Sequence, residues 1–223
     1  MTIPSRGTLD RQLREISDNT LRLASMVDTA IENAMTALSE RDLALAQKII
    51  DDDENINELR YELEYECQLI LATQQPTAGD LRTILTTIYM TIELERMADH
   101  AAGIARLVSR LGDEPDIDSL HKLPKMAKRA RKMTQEAIQA YVDHDAELAE
   151  SIVRRDDKLD KHYHNLFRET LEEMRDEDYV RRATFLLWVG HNLERIGDRA
   201  VNMAERVIFM TTGYYVENQV IME

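Results

Sequence analysis

The segment Glu93–Ala105, ELERMADHAAGIA, returns as Asn192–Ala204, NLERIGDRAVNMA. Both copies carry Leu-Glu-Arg-x-x-Asp-x-Ala-x-x-x-Ala, so one helical surface with two carboxylates is built twice. Glu147–Asp160, ELAESIVRRDDKLD, likewise lies without a gap over Ala44–Asn57, ALAQKIIDDDENIN. A chain made of two related halves must bury the same apolar pattern twice, which points to two tandem units.

The apolar spacing within each half is helical. Leu9, Leu13, Ile16, Thr20, Leu23, Val27, Ala30 and Ala34 alternate steps of four and three, the stripe of a helix in a bundle. This predicts a helix from about Thr8 to Ser39. A second runs over 43–73 with the line Ala46, Ile49, Asp53, Ile56, Arg60, Leu63, Cys67, Ile70. A third runs from about Asp80 to Leu111 with the line Leu81, Leu85, Ile88, Ile92, Glu95, Asp99, Ala102, Arg106. Pro76 and Gly79 mark the turn between them. After Gly112–Ser119, which is acidic and contains Gly and Pro, the pattern restarts with Leu123, Met126, Ala130, Met133 and Ala137, Pro124 falling in a first helical turn. Ala149, Ile152, Asp156, Leu159, Tyr163 and Leu166 repeat the second helix, and Val180, Thr184, Leu187, His191, Glu194, Asp198, Val201 and Glu205 the third, which should end at Gly213. The expected architecture is all-α: two antiparallel three-helix bundles from an internal duplication, packed side by side. The first spans 1–112, a linker 113–119, the second bundle 120–213 and a tail 214–223.

Composition narrows the function. Lys and Arg number 28 against 42 Asp and Glu, a net charge of −14. That balance counts against nucleic-acid binding, which depends on neutralising phosphates, and suits cations or basic partners. One cysteine, Cys67, allows no internal disulfide and fits a reducing compartment. No stretch reaches the ~20 apolar residues of a membrane span, and the N-terminus lacks a signal peptide's apolar core. A cytoplasmic protein is expected.

Charges interrupt the apolar lines at matching places. Glu95 and Asp99 stand four apart, as do Glu194 and Asp198, a spacing that puts both carboxylates on one helix face about 6 Å apart. In an antiparallel hairpin, residues equidistant from the turn face each other. Asp53/Asp99 and Asn57/Glu95 are centred on position 76, inside the turn marked by Pro76 and Gly79, and Asp156/Asp198 and Asp160/Glu194 on position 177, inside a second turn expected near Arg175–Asp178. Each unit thus sets an Asp-x-x-x-Asn/Asp pair opposite a Glu-x-x-x-Asp pair. Carboxylates facing a bundle interior must be paired, protonated or metal-bound. Two explanations stand. All-oxygen clusters suit hard divalent cations; Arg60, Arg96, Arg106, Arg195 and Arg199 could instead neutralise them as ion pairs. Asn57 in place of Asp160 makes the first cluster the less charged.

Other residues carry less. His191, matched by Ile92, reads as a core histidine or an added ligand, and His162 and His164 as surface. Cys67, Met126 and Met133 read as core, and Asp80 as a helix-start residue favoured by the dipole. There is no Ser/His/Asp or Cys/His set, no phosphate-binding glycine loop and no Glu-x-x-His of ferritin-like oxidases.

The doubled Leu-Glu-Arg-[Ile/Met]-[Gly/Ala]-Asp-x-Ala, the segment Asp53-Glu54-x-Ile56-Asn57 and the entry Asp80-Leu81-Arg82 resemble the PhoU family over nearly the whole chain. The resemblance implies two three-helix bundles and divalent metal (Mn, Mg, Fe or Zn) at Glu/Asp-x-x-x-Asp motifs. The metal candidates are Glu95, Asp99, Glu194 and Asp198, with Asp53, Asn57, Asp156 and Asp160 opposite; Gly103, opposite Asn202 in the repeat, loosens the symmetry. It implies a regulator of phosphate uptake and phosphate-starvation signalling, not an enzyme, with two partners: the ATPase subunit of a phosphate ABC transporter and a sensor histidine kinase. Such a protein would approach the membrane only through partners, and a homodimer is the commonest closed assembly. The rival functions are a di-metal hydrolase or oxidase and a purely structural scaffold.

Overall fold

The computed structural model describes residues 6–111, 120, 122–155 and 157–215. Helices α1 (Arg6–Glu40), α2 (Leu43–Gln74) and α3 (Ala78–Leu111) form the first unit. Helices α4 (Leu123–Asp143), α5 (Ala146–Val153), α6 (Asp157–Glu173) and α7 (Val180–Thr212) form the second, with a 3-10 turn at Glu177–Tyr179 ahead of α7. No strand occurs among the described residues. The expected linker, 113–119, lies outside them, as does most of the tail.

Local chemistry sets the boundaries. The Asp42 carboxylate accepts from the Ala44 and Leu45 amides at 2.9 Å, and Asp145, its counterpart, from Leu148 at 2.9 Å, satisfying donors that a helix start leaves open. Pro124 sits in the first turn of α4. Gly213, at φ +83°, closes α7 with its N–H on the Phe209 carbonyl at 2.8 Å. In the α2–α3 turn the left-handed positions are Gln75 and Ala78, while Gly79 lies inside α3.

The second helix of the second unit departs from expectation. Its counterpart α2 is continuous over 32 residues, but here the chain breaks between Val153 and Asp157 into α5 and α6. At the break the Arg155 guanidinium folds back onto the Ser151 carbonyl at 2.7 Å and the Ser151 hydroxyl at 2.8 Å. It thereby takes backbone and side-chain acceptors of the last turn of α5.

The lines expected on α1, α2 and α4 are largely the buried ones: Ile16, Thr20, Leu23 and Val27, then Ile49, Ile56, Leu63 and Cys67, then Met126, Ala130 and Met133. The lines expected on α3 and α7 are not. Leu81 and Leu85 are 37% and 45% exposed, and Asp99, Arg106, Val180 and His191 are also exposed. Ile84, Leu94, Ala98, Ala101 and Ala105 are buried instead on α3, and Ala183, Leu193, Ala200 and Ala204 on α7.

The reason is that α3 packs against α1, α2 and α7 together, and α7 against α3, α4, α5 and α6. At 3.6 residues per turn, α3 has three faces about 120° apart. One is buried in its own unit. A second, through Arg82, Thr86, Glu93 and His100, meets α7. The third, through Leu85, Ile88, Ile92, Glu95 and Asp99, looks outward. Apolar residues lie on all three, so periodicity alone does not choose the inner one.

Two further contacts clasp the units. Arg131 of α4 forks onto Asp28 of α1 with two bonds of 2.8 Å and reaches Glu32 at 2.7 Å. That pairing holds the Asp28 carboxyl below its usual range. The buried Tyr141 hydroxyl meets Thr87 at 2.6 Å.

The second hairpin closes on glycines. A Cβ at Gly197 would overlap Leu159, whereas nothing lies within 4 Å of one at Gly79. Gly197→Ala should therefore lose about 1–2 kcal/mol in urea unfolding despite alanine's better helix propensity, while Gly79→Ala should be neutral or gain up to about 1 kcal/mol. Equal effects would show that α6 and α7 do not approach this closely.

Candidate metal-binding faces and the bridge between units

In the first unit the antiparallel α2 and α3 bring Asp53, Glu95 and Asp99 onto one outward face. Asp53 is half-buried, and its carboxyl is pushed up by burial first and by the Asp99 charge second, with Arg106 pulling it down. Glu95 is pushed up by burial, then by Asp99 and Asp53, against the pull of Arg60 and Arg96. Asn57 is half-buried one turn further along α2. Asp53 and Asp99 thus lie close enough to feel each other's charge, as spacing about position 76 predicts, while half-buried Asp53 and Glu95 and exposed Asp99 face outward rather than into a bundle interior. Arg60 is engaged with Glu64 at 2.9 Å. Asp53, Glu95 and Asp99 form no ion pair of their own among the described residues.

In the second unit Glu194, Asp198 and Asp160 are half-buried on the equivalent face. Glu194 meets His191 Nδ1 at 3.2 Å, and Asp198 accepts from Arg195 at 3.0 Å. Tyr163 stands close enough to Glu194 for its hydroxyl pKa to be raised by that charge as well as by burial. Asp156 lies outside the described residues. His191 is exposed and bonded to a candidate ligand, so it is not a core histidine. His164 is exposed and His162 half-buried. Cys67 is fully enclosed, and burial pushes its thiol up to about 12.

Among the described residues, no three His, Cys, Asp or Glu side chains converge closely enough to hold a metal ion. The two faces offer the right donors in neighbouring positions without a preformed cage. On the second face Glu194 is bonded to His191 and Asp198 is paired with Arg195; on the first, Asp53, Glu95 and Asp99 have no such partner among the described residues. No helix of the described residues is long and apolar enough to cross a membrane.

Between the units lies a polar bridge that sequence reasoning passed over. Glu93 is 1% exposed on the face of α3 that meets α7. It accepts from Arg199 at 3.4 Å, Asn202 at 3.4 Å and Arg96 at 3.5 Å. Nearby, His100 Nδ1 lies 3.0 Å from the Asn192 side-chain oxygen, which can only accept, so the ring N–H donates. Asn192 is the repeat counterpart of Glu93, and Arg199 that of His100. The two contacts are one interaction related by the internal pseudo-two-fold axis. The signal was present in the aligned repeats, where Glu/Asn and His/Arg swap polarity at paired positions. Burial holds His100 below the usual histidine pKa, with Arg199 adding to it, although the Asn192 bond and Asp99 act in the other direction.

Two outcomes follow from this geometry. Removing Glu93 leaves the Arg199 guanidinium without its buried partner, so Glu93→Ala should cost about 2–4 kcal/mol in chemical unfolding. At the first face the sign is opposite. A carboxyl whose folded pKa is raised costs stability when ionised, and that cost is relieved as pH falls through the raised value. Metal-free Asp53→Asn and Glu95→Gln should therefore melt roughly 1–3 °C above the parent at pH 7 and lose that advantage towards pH 4. A lower melting temperature at pH 7 would show that these carboxylates are already satisfied.

Comparison with known proteins agrees with the duplicated architecture. A family model described as PhoU domain matches residues 20–108 and again 123–207. A protein of Clostridium acetobutylicum described as a phosphate-specific transport system accessory protein PhoU homolog is 35% identical over 215 residues, 96% of this chain and 98% of its own length. The crystal structure of the phosphate transport system regulatory protein PhoU from Streptococcus pneumoniae superposes with a TM-score of 0.86 at 31% identity, covering 93% of this chain and 99% of that one. PhoU from Pseudomonas aeruginosa superposes with a TM-score of 0.85 at 33% identity, covering 92% and 99%. Matched twice along its length and alike in fold from end to end, the chain belongs to the PhoU family.

Proposed function

We propose that this protein regulates phosphate uptake and phosphate-starvation signalling as a metal-binding adaptor. It would stand at the cytoplasmic side between the ATPase subunit of a phosphate ABC transporter and a sensor histidine kinase, restraining both when phosphate is plentiful. The observation that carries this is the pair of equivalent carboxylate faces, held outward on one rigid double bundle of a family whose named members serve phosphate transport. Two such faces suit a part that joins partners rather than one that turns over a substrate. The site residues include no nucleophile–base pair.

The donor chemistry fits a divalent cation. Asp53, Glu95 and Asp99, with the Asn57 carbonyl, offer only oxygen, as Mg or Mn prefers. Glu194, Asp198 and Asp160, with His191, add a nitrogen that also suits Fe or Zn. A bound cation would supply charge that relieves the like-charge repulsion at Asp53 and Glu95. These side chains would turn inward on binding, drawing α2 towards α3 and stiffening the first hairpin.

Chelated protein titrated with Mn or Mg should bind with the first face dominant: Asp53→Asn/Glu95→Gln/Asp99→Asn should remove most of the heat, and Glu194→Gln/Asp198→Asn less. In cells, deleting the gene should switch on a phosphate-starvation reporter in replete medium, and the first-face variant should restore repression poorly. Unaltered metal binding after replacing Glu95, Asp99, Glu194 and Asp198 together by alanine would end the metal assignment. A silent reporter in the deletion strain would end the regulatory one.

A further inference from the structure

Beside the α2/α3 face, which it borders at Asp53, a furrow of about 490 Å³ opens between α1 and α2. Met26 and Ala30 of α1, Ile49, Ile56 and Leu59 of α2, and Ala98 of α3 make its apolar floor. It exists because α1 presents Ser25, Thr29, Ala30 and Asn33 there, side chains too short to fill the gap between two helices. One wall is acidic: Asp52, Glu58 and Glu62 are exposed along α2 and form no ion pair among the described residues. Among the described residues on the lining the one cation is the exposed Arg22 of α1.

The second unit shows what belongs in such a place. Aligned by their capping aspartates, Asp42 and Asp145, the halves pair Met26 with Arg129, Asn33 with Glu136, Asp52 with Arg155 and Glu58 with Lys161. There the equivalent crossing is closed from within. Arg129 of α4 donates across it to the Arg155 carbonyl at 2.9 Å, and Arg155 donates to Glu136 at 3.0 Å. In the first unit the bridging arginine is replaced by a methionine and the facing cations by carboxylates. The first furrow is thus open, apolar at its floor and short of the positive charge that its twin carries internally.

We propose that this furrow docks a basic amphipathic helix of a partner protein, which supplies from outside the cations that the second unit has built in. The furrow runs along α1 from Arg22 to Asn33 and along α2 from Ile49 to Glu62, about 16–20 Å, or three to four helical turns. An apolar ridge at i, i+3, i+4 and i+7 meets the floor, and flanking lysines or arginines meet Asp52, Glu58 and Glu62. This rests on the adaptor function proposed above and names the surface it would use; the furrow borders the metal face at the half-buried Asp53, which lies on the lining of one and among the carboxylates of the other.

The test uses the full chain and a labelled synthetic peptide of about 14 residues with leucines at that spacing and lysines elsewhere, plus a copy with glutamates in place of the lysines. Three variants separate the possibilities. Met26→Arg installs the plug of the second unit. Asp52→Lys/Glu58→Lys/Glu62→Lys reverses the wall. Asp143→Lys/Glu147→Lys/Glu172→Lys changes net charge equally on the second unit. Fluorescence anisotropy should show the lysine peptide binding parent and control alike, about tenfold or more weaker binding to each of the other two, and no binding of the glutamate peptide. Binding lost equally in the control, retained by Met26→Arg, or absent from the parent would overturn the proposal. If Met26→Arg instead splits a homodimer of the parent, the occupant is a second copy and the proposal also falls. In cells, full repression by Met26→Arg alongside derepression in the deletion strain would sink the furrow while leaving the regulatory function standing.

Discussion

The contact between α3 and α7 organises this molecule. These are the third helices of the two repeats, running antiparallel. Small buried residues, Ala98, Ala101, Ala102 and Ala105 on α3 with Ala200 and Ala204 on α7, let the third helices sit deep in their units. Apolar burial supplies most of the stabilisation, at roughly 25 cal/mol for each Å² removed from water. It does not by itself fix how the helices slide. The buried Glu93 with Arg199 and Asn202, and its twin His100 with Asn192, does: a shift of one turn would strand a buried carboxylate without its partners.

From that register follows the placement of everything on the outside. With one face of α3 in its own core and a second on α7, the third face has to point outward, and Glu95 and Asp99 go with it. The same holds for Glu194 and Asp198 on α7. Two carboxylate faces on one rigid body, related by a pseudo-two-fold axis, are the consequence of duplicating one hairpin and packing the copies through their third helices. Small differences then separate them. His191 and Arg195 engage the carboxylates of the second face, while Asp53 and Glu95 on the first, held above their usual pKa, have no such partner.

The same divergence appears on the α1/α2 side. The second unit crosses its furrow with Arg129 and Arg155; the first leaves Met26 and Asp52 at those places. A duplicated chain begins with two identical surfaces, and only substitution makes them different. Where one copy satisfies a groove internally and the other leaves it open and oppositely charged, the open copy is free to serve another molecule.

How much of this was legible in the residues follows from what each residue type depends on. Helix positions, the cap at Gly213, the duplication, and the pairing of Asp53 with Asp99 across a turn all rest on local spacing, which a linear chain carries in full. The α1, α2 and α4 cores were readable because those helices are apolar along one stripe. On α3 and α7 apolar residues run all round, so three faces were candidates. Only packing between the units decided which was buried, turning an expected interior cluster into an outward groove and an expected core histidine, His191, into a surface one. The break between α5 and α6 and the bridge at Glu93 also needed three dimensions. The first turns on where the Arg155 side chain goes, the second on a partner more than a hundred residues away. Spacing along the chain thus determined the elements and which carboxylates share a hairpin; the antiparallel contact of α3 with α7 decided which way those carboxylates face, because a helix wrapped by neighbours on two sides has only its third side left for solvent.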